Sequence, residues 1–67
     1  MRFAVTDREN REVAEIIFRD EDGLLSVERS AFINSFRMII DRARMEMLIA
    51  AASRKDWASL NAFDPEF

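Results

Sequence analysis

The organisation of the chain turns on Ile16-Ile17-Phe18-Arg19-Asp20-Glu21-Asp22-Gly23-Leu24-Leu25-Ser26-Val27, which contains the only glycine of the 67 residues. Asp-Gly favours a tight reversal, because Gly accepts positive φ without steric cost and Asp tolerates it. The two flanking runs can then pair as hairpin arms. A turn at Asp22-Gly23 sets Phe18 opposite Val27 and Asp20 opposite Leu25, so that Ile16, Phe18, Leu25 and Val27 share one face. Upstream, Arg2-Phe3-Ala4-Val5-Thr6 alternates with Phe3 and Val5 inward, which adds a third strand. The expectation is a short antiparallel meander over residues 2–27.

From Val27 or Ser30 to about Ser53 there is neither Gly nor Pro, and Ile33, Phe36, Ile40, Ala43, Met47 and Ala50 recur at spacings of three and four. Phe32 and Ile39 widen that stripe. This spacing predicts one long amphipathic helix over residues 28–53, running about 40 Å at 1.5 Å per residue. A small meander covers only about half of that length. After Ser53-Arg54-Lys55-Asp56, a short helix carrying Trp57, Leu60 and Phe63 and an extended tail ending in Phe67 complete residues 54–67. The fold class expected is therefore α+β in one small domain.

On a helical wheel, Met38, Met45, Ile49 and Ala52 fall opposite the main stripe, so the long helix has two apolar faces. One can be served by the strands of the same chain. The other calls for a second chain or for the Trp57 segment, and methionines suit such adaptable contacts. Met38, Met45 and Ile49, with Trp57, Leu60, Phe63 and Phe67 as apolar anchors, are the expected partner-binding residues. Size points the same way. A chain of 7.8 kDa buries apolar area on the order of 100 kcal/mol, and ordering it costs about as much. With no Cys and no His, neither a disulfide nor an ordinary zinc site supplements the core.

Residues 7–20 also support a helix. Thr6-Asp7-Arg8-Glu9 fits a capping box, and Asp7 with Arg11, Arg8 with Glu12, Arg11 with Glu15 and Glu15 with Arg19 are opposite charges at i,i+4. With that helix, the order strand, helix, Gly turn, helix over residues 2 to about 45 resembles the ribbon-helix-helix family of dimeric repressors and antitoxins. The resemblance implies a two-strand ribbon that reads the major groove through Arg2, Ala4 and Thr6, and a C-terminal segment, residues 53–67, that occupies a toxin.

Charge is uneven along the chain: residues 7–28 carry net −5 and residues 29–55 net +4, within an overall −3 and a pI near 4.8. Such segments steer partners of opposite charge, and the acidic one could serve as a mimic of nucleic acid. Catalysis is not expected. There is no His, Cys or Tyr and only one Lys, so the usual kit for activating a nucleophile is missing. A calcium loop at Asp20-Glu21-Asp22-Gly23 fails because Phe18 and Arg29 would occupy the first and last ligand positions. A single Gly cannot form a phosphate-cradling loop, and no cofactor is expected.

The longest apolar run, Met47-Leu48-Ile49-Ala50-Ala51-Ala52, is too short to span a bilayer. The charged first fifteen residues do not resemble a signal peptide, which makes a cytoplasmic protein without membrane attachment the expectation. Nine Arg to one Lys is a composition habit of GC-rich bacterial or phage genomes. Together these features lead to a small non-enzymatic inhibitor or adaptor, bacterial or phage-encoded, that acts as a homodimer and binds another protein. A ribbon-helix-helix repressor or antitoxin and an acidic nucleic-acid mimic are the alternatives.

Overall fold

The computed structural model describes residues 1–31 and 35–63, with side chains as far as Leu60. Four strands, β1 (Arg2–Thr6), β2 (Glu12–Glu21), β3 (Leu24–Ala31) and β4 (Ser35–Ile39), precede two helices, α1 (Arg42–Ser53) and α2 (Trp57–Phe63). The strands form one antiparallel sheet in the order β1-β2-β3-β4. The class is α+β, as the sequence leads one to expect.

The β2–β3 hairpin forms in the register read from Asp22-Gly23. Phe18 lies opposite Val27 and Asp20 opposite Leu25. Asp22 and Gly23 have φ of 52° and 80°, the pair of positive values a two-residue hairpin turn requires. Between β1 and β2 the acidic residues that favour a helix on paper build a loop instead. The Asp7 carboxylate accepts from the Glu9 and Arg11 backbone N–H groups at 2.9 Å each, and Asn10 takes φ 64°. Of the four i,i+4 charge pairs, Asp7 with Arg11 forms within this loop at 3.2 Å, while Glu12 and Glu15 pair across strands with Arg2. Residues 12–21 are a strand, so the strand-helix-helix order on which the ribbon-helix-helix resemblance rests is not the order of this chain.

The long helix expected over residues 28–53 is corrected in the same way. Its first half is the end of β3 and the whole of β4, and α1 has only 12 residues. Phe36 and Ile40 satisfy a helical spacing, but Phe36, Met38 and Ile40 also satisfy a period of two. The latter wins because β3 presents an unpaired edge, and pairing Val27 with Met38 and Arg29 with Phe36 satisfies its backbone while placing Phe36 and Met38 on the face that already holds Phe18. Phe32 and Ile33, also assigned to the stripe, lie outside the described residues. Asp41 then starts α1: its backbone is extended at φ −82°, ψ 169°, and its carboxylate accepts from the Arg44 N–H at 2.7 Å.

At the other end, Lys55 at φ 59° donates to the Ala52 carbonyl and Asp56 to the Ala51 carbonyl. This paired closure reverses the chain into α2. At about 18 Å by the helical rise, α1 is about as long as β1 and β4, shorter than β2 and β3, and lies over the sheet. Ile16, Phe18, Leu25 and Val27 from the sheet, Ile40 behind β4, Met45, Leu48, Ala51 and Ala52 from α1, and Leu60 from α2 form one buried core. Phe3 meets Phe18 edge-on, ring centroids 5.9 Å apart.

The face of α1 expected to lie inside is outside, and the reverse: Met45 is 7% exposed, whereas Met47 is 60% exposed. Leu48→Ala is therefore expected to lower the unfolding free energy by about 2–5 kcal/mol, while Met47→Ala changes it by less than about 0.5 kcal/mol. Urea titrations of both variants check this; equal costs would place α1 with the wrong face on the sheet.

Candidate interaction surface

Because side chains alternate across a strand, the register fixes a second face as firmly as the first. Phe3, Val5, Ile16, Phe18, Leu25, Val27, Phe36 and Met38 point to the helices. The intervening residues therefore point away, onto a face that no described helix covers. Across the middle of that face runs a row of register partners, Arg2, Ile17, Glu28 and Arg37, one from each strand. A second row joins Arg19, Ser26 and Ile39. Two large apolar side chains stand out on it: Ile39 is 55% exposed and Leu24 51%, while Val13 falls at the bulge where the β1–β2 register shifts.

The charges of this face neutralise one another. Arg2 bonds both Glu12 and Glu15, and its guanidinium is held above the usual arginine range chiefly by the hydrogen bond to Glu15. Arg19 lies 3.6 Å from Glu21 and 3.9 Å from Glu28, the residue that also faces Arg37 across the ladder. Exposed pairs of this kind add little stability but set local charge. Ser26, small between Arg19 and Ile39, is buried to 1%. The result is a nearly neutral surface on which Leu24 and Ile39 form an apolar corner beside Ser26.

Of the residues expected to bind a partner, those described lie elsewhere. Met38 is in β4, not on a helix, and faces the core. Met45 and Leu60 are buried in it, and Ile49 and Trp57 are half-buried against it. Phe63 is placed as the last residue of α2, and Phe67 lies outside the described residues. Ile39, expected to widen the inward stripe of a helix, instead lies exposed on β4, on the outer face to which the Phe18–Val27 register also assigns Ile17 and Leu24.

Arg29 is a cation on the helix side. It stacks on Phe36, guanidinium 5.7 Å from the ring centroid, and borders a cavity of about 90 Å³ lined also by Val5, Ala31, Trp57 and Leu60. No group of three or more His, Cys, Asp or Glu residues suited to a metal occurs among the described residues. No described helix is long and apolar enough to cross a membrane. No protein-family model, curated protein or solved structure matches this chain.

Asp56 holds the start of α2, and thereby Trp57 and Leu60, in place. Its carboxylate accepts from the Ser59 hydroxyl at 2.7 Å and from the Ser59 N–H at 3.2 Å, and these bonds hold its pKa below the ordinary value of 3.8. A carboxylate with a lowered folded-state pKa contributes stability above its unfolded pKa and loses it as the pH falls through the folded value. Asp56→Ala is accordingly expected to reduce the melting temperature at pH 7, with the difference from wild type shrinking on acidification below about pH 4. Thermal melts from pH 7 to pH 2.5 check this; a pH-independent difference would contradict the cap.

Proposed function

We propose that this protein is a small non-catalytic interaction module, of the bacterial or phage inhibitor or adaptor kind, that acts as a homodimer in the cytoplasm. It holds another protein on the bare face of its sheet rather than on the methionines of α1. The observation that carries the proposal is the composition of that face: exposed Leu24 and Ile39 among charges that are already paired within the chain. Interaction surfaces combine apolar anchors with a compensated polar surround.

Neutrality also separates a protein partner from nucleic acid. Phosphate binding draws on cations free to displace counterions. Arg2 and Arg19 each sit between two carboxylates, and Arg37 faces Glu28. The same pairing weighs against the acidic-mimic alternative, since the carboxylates of this face carry arginine partners.

Capture from a bacterial lysate with immobilised wild type, Leu24→Asp, Ile39→Asp and Met47→Asp tests the reading. The expected outcome is a protein held in stoichiometric amount by wild type and Met47→Asp and lost, roughly tenfold or more, on the two sheet-face variants. A protein lost on Met47→Asp and kept on the other two would move the site to α1 and contradict the proposal.

A further inference from the structure

The sheet has two edges, and they are not equivalent as templates for a second copy. Resting on the homodimer of the preceding section, we propose that two copies join through β1, antiparallel about a two-fold axis at Ala4, into one continuous eight-stranded sheet.

The backbone direction comes first. Met1 and Phe18 exchange two bonds of 2.8 Å, so Phe3 and Val5, in step with Met1, bond to β2. By the alternation of antiparallel ladders, the N–H and C=O of Ala4 point to the free edge. On the other side of the sheet, the Ile40 N–H donates to Leu25 at 3.0 Å, which turns the backbone groups of Arg37 and Ile39 outward from β4.

The side chains then choose between the edges. Pairing two β4 strands about Arg37 would set the two guanidinium groups directly opposite, and like charges there destabilise a pair. Moving the axis to Met38 shortens the overlap, because Ile40 and Asp41 already lead into α1. A charge on an edge strand is a usual way of blocking edge-to-edge association.

On β1 the same test passes. An axis at Ala4 places the smallest side chain of the strand at the crossing. Phe3 faces Val5 of the second copy on the helix side, closing over two half-buried apolar residues. On the bare face, Arg2 faces Thr6 of the second copy, whose sheet neighbour is Glu12. The cation therefore meets a carboxylate of the other chain as well as Glu12 and Glu15 of its own, so charge and apolar contact are complementary in one register.

Sedimentation equilibrium of the full chain at micromolar concentrations tests this with Ala4→Lys and Ile39→Lys. Lys at position 4 lies beside Glu15 within one chain, which favours the monomer fold, but puts two ammonium groups across the axis in the dimer. Wild type and Ile39→Lys are expected at twice the 7.8 kDa chain mass, and Ala4→Lys at the chain mass with its circular dichroism unchanged. An Ala4→Lys dimer, an Ile39→Lys monomer or an open-ended polymer would overturn the proposal.

Isotope-filtered Overhauser spectra of mixed labelled and unlabelled wild type provide a readout that needs no variant. Contacts between the Phe3 ring and the Val5 methyl groups of the other copy are expected. A dimer without them overturns the β1 interface. A wild type that stays monomeric overturns it together with the homodimer, whereas the partner face is decided separately by the Leu24 and Ile39 capture variants.

Discussion

The pairing of Phe18 with Val27 across the Asp22-Gly23 turn is the constraint on which the rest of the structure depends. Side chains alternate with a period of two, so one register assigns every residue of β2 and β3 to a face, and a slip of one would exchange core for surface. With Ile16, Phe18, Leu25 and Val27 facing one way, that side needs a cover. Short α1 and α2 supply it. Glu15, Ile17, Arg19, Ser26 and Glu28 are turned the other way, so the bare face is as much a product of the turn as the core is.

The first half of this architecture is legible in the residues. The turn chemistry at Asp22-Gly23, the register around it and the inward placement of Phe3 and Val5 follow from alternation and from glycine's tolerance of positive φ. The second half is not, for a physical reason: Phe36 and Ile40 satisfy both periods. The alternation Phe36, Met38, Ile40 is blurred because Ile39, between two of them, is apolar but lies on the exposed face. The side chain that disguises the strand thus belongs to the surface proposed to bind a partner. What decides the matter is the unpaired edge of β3, a long-range demand that no local window contains.

The same double periodicity scatters the methionine stripe. Met38, Met45 and Ile49 form a stripe only if residues 38–49 are one helix. Once β4 takes Met38, the three residues reach a common core from two elements. Trp57 and Leu60 lie on α2 and both pack on the core, with the helix start held by the Asp56 cap. Arg29 was legible in principle, since Val27 inward places Arg29 inward too, where it stacks on Phe36.

Two surfaces of one sheet carry the proposals: the nearly neutral face with its apolar corner for a partner protein, and the β1 edge for a second copy. Joining the edges would extend the face across both chains without disturbing the helices. Amide hydrogen exchange, followed residue by residue at a concentration where the wild type is fully associated, tests this most directly. With two copies joined at β1, the Ala4 amide is protected to the degree of Phe3 and Val5, while the Arg37 and Ile39 amides exchange freely. Protection at Arg37 and Ile39 with a freely exchanging Ala4 would contradict the β1 interface.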